Sequence, residues 1–207
     1  MPITYTNRKG VTLTLCRSVT KTGKPRYYFA REQKGEPVET IPEGYRIGES
    51  VNGLVFLEKD RPMLIRPEEV AAVEAAVARH RKSGNYRVRV KHDRIEVYER
   101  VGPDAADLIS ALAEVGPLIG VLDQRIRDEI EQHGQFTPVL RFILNDEDRR
   151  TYRAERWCYL GSIDDWIDIG SPGPVDRLTR KMIPTLGTDA FYGLYYSHSD
   201  NLLDSRL

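Results

Sequence analysis

The stretch YRVRVKHDRIEVYE, Tyr86 to Glu99, restricts the fold more than any other part of the chain. Tyr86, Val88 and Val90 alternate with Arg87, Arg89 and Lys91. Ile95 and Val97 alternate with Arg94, Glu96 and Tyr98. A period of two is the signature of a strand with one buried face. The two runs flank His92-Asp93, so the segment reads as an antiparallel hairpin over Tyr86–Lys91 and Arg94–Glu99. If His92-Asp93 is a two-residue turn, Lys91 opposes Arg94, Arg89 opposes Glu96 and Arg87 opposes Tyr98; His-Asp is not a favoured pair for such a turn, and a longer turn is the alternative. One face is then apolar and the other is basic with one aromatic ring.

The same alternation recurs upstream. Ile3–Thr6, Val11–Ser18 and Pro25–Arg31 read as three strands of a meander, joined by Asn7-Arg8-Lys9-Gly10 and by Thr20-Lys21-Thr22-Gly23-Lys24. Both turns carry the Gly that a positive φ asks for. Residues 35–53 are rich in Gly and Pro and read as a linker or surface loop. Leu54–Leu57 is a short strand. Pro67 opens a helix running to about Lys82, with Glu68 and Glu69 at its positive end and Arg79, Arg81 and Lys82 at its negative end. Gly102-Pro103 is the expected domain boundary. A bent helical segment should follow, with Leu108, Ala111, Leu112 and Val115 before Gly116-Pro117 and Ile119, Leu122, Ile126 and Ile130 after it. Strands return at Thr137–Leu144, Tyr152–Tyr159 and Ile163–Ile169, and Val175–Tyr196 reads as a helical tail broken between Pro184 and Gly187. The expected fold is therefore α+β, in two lobes of short antiparallel sheets packed with helices, residues 1–101 and 102–207.

Charge sharpens this division. The chain has 207 residues, 31 Lys+Arg and 31 Asp+Glu. The first lobe holds 20 basic and 13 acidic residues, the second 11 and 18. A basic half suggests an anionic partner, while two halves of opposite charge also suit docking on each other. The opening strands contain TKTGKPRYYFARE, where cations surround aromatic rings. Lys21, Lys24 and Arg26 are candidates to neutralise phosphates, and Tyr27 or Tyr28 to stack on bases. Arg87, Arg89 and Lys91 form a second candidate patch. The bland reading of both is strand and turn residues shown to water.

A third stretch, ERWCYLGSIDDWIDIGSPGP, brings Trp157 and Trp166 close to Asp164, Asp165 and Asp168. Paired Trp residues suit a protein contact or the closed edge of a core. The three carboxylates raise metal binding or acid–base chemistry, but no partnering Lys or calcium-loop ladder accompanies them. Histidines 80, 92, 133 and 198 have no zinc spacing. Phosphate-loop, dinucleotide and Gly-x-Ser-x-Gly patterns are absent. No catalytic residue, metal or cofactor is therefore expected. Cys16 and Cys158 each fall in an expected strand and read as small buried thiols. No apolar run approaches the ~20 residues of a membrane span, and Met1-Pro2-Ile3-Thr4-Tyr5 has no signal-peptide pattern. The expected location is the cytoplasm.

The strings YTNRKG, TKTGKPRYYFAR, IPEGY and NGLVFL, with RWCYLGSIDDW and IPTLGTDAFYGLY near the other end, resemble an uncharacterised bacterial protein family of unknown function. That resemblance implies that both halves belong to one protein and assigns no activity, ligand or residue role. The expected function is a non-enzymatic cytoplasmic binding protein contacting DNA or RNA through its basic N-terminal sheet. The alternative is a protein-interaction or adaptor protein using the Trp157/Trp166 loop, with another protein or a second copy as partner. A small carboxylate- or metal-dependent enzyme comes third. No membrane partner is expected.

Overall fold

The computed structural model describes residues 1–32, 35–102, 109–110, 124–125, 128–129, 132–160 and 163–194. The bent helical segment expected across 104–133 and the end of the expected helical tail lie largely outside the described residues. What is described is a mixed, sheet-rich fold. Its sheets are antiparallel, and its helices flank them rather than alternate with them. None of these helices is long and apolar enough to cross a membrane.

The chain divides into two compact units, Met1–Arg61 with Val101–Gln135, and Pro62–Arg100 with Phe136–Leu207. In the first, β1 (Thr4–Thr6), β2 (Thr12–Val19) and β3 (Pro25–Ala30) form the expected meander. A two-residue strand, β4 (Glu36–Pro37), joins the edge of β2 opposite β3. The Gly/Pro-rich segment is not all loop: Tyr45–Glu49 (β5) pairs with Val55–Lys59 (β6). Leu15, Cys16 and Val55 are the buried apolar side chains here. Asn7 organises the first turn. Its Oδ1 accepts the N–H groups of Lys9 and Val11, and its Nδ2 donates to the Gly53 carbonyl at 2.7 Å. Glu49 accepts the Tyr5 hydroxyl and the Arg8 N–H.

The second unit is built on a five-stranded meander. Its strands are β7 (Tyr86–Lys91), β8 (Arg94–Arg100), β9 (Phe136–Asp146), β10 (Thr151–Leu160) and β11 (Ile163–Asp168). They lie side by side in chain order. The hairpin register is the one that a two-residue His92-Asp93 turn dictates. Tyr86, Ile95, Val97, Leu140, Phe142, Tyr152 and Ala154 lie on one face and are buried. Two helices, α1 (Pro67–Ala78) and α2 (Val175–Met182), bury Val73, Val77, Val175, Leu178 and Met182 in the same cluster. A short helix, α3 (Asp189–Tyr192), adds Phe191.

The starts of these helices follow their sequences. Pro67 occupies the first turn of α1, and Glu69 reaches back to accept the Arg66 N–H at 2.8 Å. The helix ends earlier than expected, at Ala78. His80 stops it by accepting the Lys82 N–H on Nδ1, which satisfies that donor locally instead of within a further helical turn. Glu69 also holds Arg150, whose guanidinium reaches the Leu64 carbonyl and the Tyr152 hydroxyl.

The sheet crosses the expected boundary at Gly102-Pro103. β8 lies before it and β9 after it, and they pair from Arg94↔Ile143 to Arg100↔Phe136. A two-stranded hairpin cannot bury its apolar face alone. Ile95 and Val97 gain their cover from Phe142 and Leu140 beside them. The charge asymmetry of the sequence halves is lost in the compact units. The first unit holds 13 Lys+Arg against 14 Asp+Glu, the second 18 against 17.

Phe142 has no exposure at the centre of the sheet. Phe142→Ala is expected to cost about 3–5 kcal/mol. Ile143→Ala, half-buried on the opposite face, should cost about 1–2 kcal/mol. Denaturant midpoints of the two variants check this ordering.

Candidate functional site

The turn between β2 and β3 carries the first group of expected site residues. Thr20 closes it, since the Thr20 N–H donates to the Lys24 carbonyl and Gly23 takes φ of +77°. Lys21, Lys24 and Arg26 are exposed, and none makes an ion pair to a described residue. Register places Arg17 opposite Tyr27 and Ser18 opposite Arg26. Arg17 and Tyr27 therefore share one face of the ribbon, and Arg26 and Tyr28 the other. Tyr28 is covered: its hydroxyl lies so close to Gly35 that a Cβ there would not fit. Tyr27 is the ring left for stacking on the Arg17 side.

The second group, Arg87, Arg89 and Lys91, belongs to the other compact unit. It lies on the sheet face opposite the helices, where charges run in register across the strands. Arg89 on β7 opposes Glu96 on β8, Glu96 opposes Arg141 on β9, Arg141 opposes Glu155 on β10, and Glu155 opposes Asp168 on β11. Neighbouring cations fold onto this row. Lys91 Nζ is 2.8 Å and Arg94 Nε 2.9 Å from the same oxygen of Glu96. Arg141 pairs with Glu155, and Arg153 reaches Glu155 at 3.0 Å and Asp168 at 3.4 Å. Glu96 is 3% exposed and Glu155 6%. Arg87 donates to the Tyr86 carbonyl at 2.9 Å and stacks over the Phe136 ring at 5.2 Å. Lys91 and Arg94 are thus partly neutralised by a buried carboxylate, Arg89 stands opposite the same carboxylate, and Arg87 lies over a ring.

Burial pushes the Glu96 carboxyl upward, but hydrogen bonds from Lys91, Tyr98 and Arg94 outweigh it and hold the group below its ordinary value. The Tyr98 hydroxyl is pushed up to about 12 by burial and by its bond to Glu96.

Trp157 and Trp166 lie on the same face as the charged row, at its β10–β11 end. They are directly opposed across the strands, with ring centroids 5.2 Å apart in an edge-to-face arrangement. The Trp157 indole N–H donates to Asp164 at 3.2 Å, and the Arg141 guanidinium lies 4.2 Å over the Trp166 ring. Both indoles are half-buried. Tyr159, two residues along β10, extends the cluster and is 69% exposed. Alternation alone puts Tyr159 beside Trp157, so this residue was within reach of sequence reasoning. Arg141 was not, because its place over Trp166 depends on the register of three strands.

Asp164, Asp165 and Asp168 do not converge. Asp164 and Asp168 share a face but stand four residues apart along a strand, roughly 13 Å, and Asp165 points to the other face. All three are exposed. Among the described residues no three His, Cys, Asp or Glu side chains gather as metal ligands. Cys16 and Cys158 are buried free thiols. No family model, curated protein or solved structure matches the chain.

Glu96 gives the charged row a testable signature. Its depressed carboxyl contributes stability that is complete above its ordinary value of 4.5 and is lost as pH falls through the lowered one. Glu96→Gln should cost about 2 kcal/mol at pH 7 by leaving Lys91 and Arg94 without their carboxylate. It should also flatten the acid limb of a stability–pH curve measured by urea unfolding.

Proposed function

We propose that the protein is a non-enzymatic cytoplasmic nucleic-acid-binding protein whose β2–β3 hairpin holds the phosphate backbone without reading base sequence. One observation carries this reading. Lys21, Lys24 and Arg26 stand exposed at one hairpin end without an ion pair to a described residue, whereas Lys91 and Arg94 share a buried carboxylate. A cation without a carboxylate neighbour has its full charge available to a phosphate. A two-stranded ribbon with a cationic tip is narrow enough to follow a groove or a single strand. Arg17, which stands opposite Glu36 on β4, extends the cationic track along β2, and Tyr27 opposite it offers a ring to a base. Arg87, Arg89 and Lys91 take a lesser part, since their charges are partly spent within the sheet.

About four phosphate contacts give a slope of roughly −3.6 in log affinity against log salt, or an affinity loss of the order of 100-fold between ~50 and ~200 mM salt. Fluorescence anisotropy of the full chain with single- and double-stranded DNA and RNA measures it. Replacing Lys21, Lys24 and Arg26 together by Glu should abolish binding at low salt, and a single Lys24→Ala should reduce the slope by about one. Absence of binding at ~50 mM salt, or an unchanged slope in the variants, overturns the reading.

A second reading is favoured by the exposure of Tyr159 beside two half-buried indoles. A partly exposed aromatic cluster next to an arginine has the composition of a protein-binding hot spot. If it joins two copies of the chain, sedimentation velocity will show a concentration-dependent dimer, and Tyr159→Ser will shift it to monomer.

A further inference from the structure

A pocket of about 290 Å³ lies between the end of α1 and the end of α2. Arg79, His80 and Arg81 form one wall, and Arg180, Ile183 and Pro184 the other. Its volume is at the small end of ligand sites. Three arginines therefore line a small pocket.

The wall has two further properties. Arg79, Arg81 and Arg180 make no ion pair to a described carboxylate. The Arg180 Nε donates to the backbone carbonyl of Asp176 and leaves its other N–H groups uncommitted in the described structure. His80 is 8% exposed. Because its Nδ1 accepts the Lys82 N–H, its proton resides on Nε2. That nitrogen is buried away from the pocket's solvent, without a hydrogen-bond partner, and the ring meets Tyr86 edge-to-face at 4.9 Å. Cations at helix C-termini have a structural use, since they offset the carbonyl ends of α1 and α2. That use explains a cation at each end. It does not explain a pocket lined by three of them.

We infer that this pocket binds the phosphoryl group of a small phosphorylated molecule, clamped by Arg79, Arg81 and Arg180. Guanidinium forks match phosphate oxygens bidentately. Ile183 and Pro184 offer a short apolar surface to the organic part of the ligand. The site is independent of the β2–β3 hairpin, so its test separates from that of nucleic-acid binding.

Inorganic phosphate is the probe, titrated into the full chain by calorimetry at constant ionic strength set with chloride. Saturable binding is expected. At ten times Kd the melting temperature should rise by ~3–6 °C over the chloride control. Arg79→Ala and Arg180→Ala change exposed positions, and each should weaken phosphate at least tenfold with circular dichroism unchanged. The triple Glu variant of Lys21, Lys24 and Arg26 should bind phosphate as the parent does. A response equal to that of chloride, or one that survives both arginine variants, overturns the inference. So does displacement of phosphate by an oligonucleotide with hydroxyl ends, which would assign the pocket to a polymer backbone.

Discussion

Burial of Ile95, Val97, Leu140, Phe142 and Tyr152 beneath α1 and α2 fixes the register of the central strands of the sheet, and the opposite face follows from that register. A slip of one residue would turn every apolar side chain outward. The alternatives are therefore penalised by many kcal/mol, and the positions of Glu96, Arg141, Glu155 and Asp168 follow as a consequence. The charged row is a product of core packing on the other side of the same backbone.

The row has a physical role of its own. Two carboxylates, Glu96 and Glu155, are almost wholly removed from water. Such groups are tolerated only where cations and donors surround them. Lys91, Arg94, Tyr98, Arg141 and Arg153 supply that environment. A large share of the basic content of the sheet is committed in this way. The same reasoning separates strand cations from hairpin cations: Lys21, Lys24 and Arg26 have no such commitment to a described residue and are exposed to solvent.

The described molecule thus offers three chemically different surfaces. A solvated cationic hairpin tip suits a polyanion. An aromatic cluster at the β10–β11 end, with Arg141 lying over Trp166, suits a protein contact. A small arginine-walled pocket at two helix ends suits a single phosphoryl group. Size and solvation distinguish them. The hairpin tip is exposed and suits a chain of phosphates, whereas the pocket is small and suits a single group.

Local pattern alone determined most of the described elements. Alternation gave the strands and Pro67 gave the start of α1, because backbone propensity and burial period act over a few residues, while the structure chose the two-residue His92-Asp93 turn over a longer one. Strand Tyr45–Glu49 was hidden by its surrounding Gly and Pro, and the early end of α1 by a single His80 side-chain bond. The pairing of β8 with β9, the composition of the compact units, the position of Arg141 over Trp166 and the gathering of Arg79, Arg81 and Arg180 were decided only by tertiary structure. Each joins residues far apart in the chain. Such contacts depend on which apolar faces cover one another, a choice made by the whole core and written in no single segment.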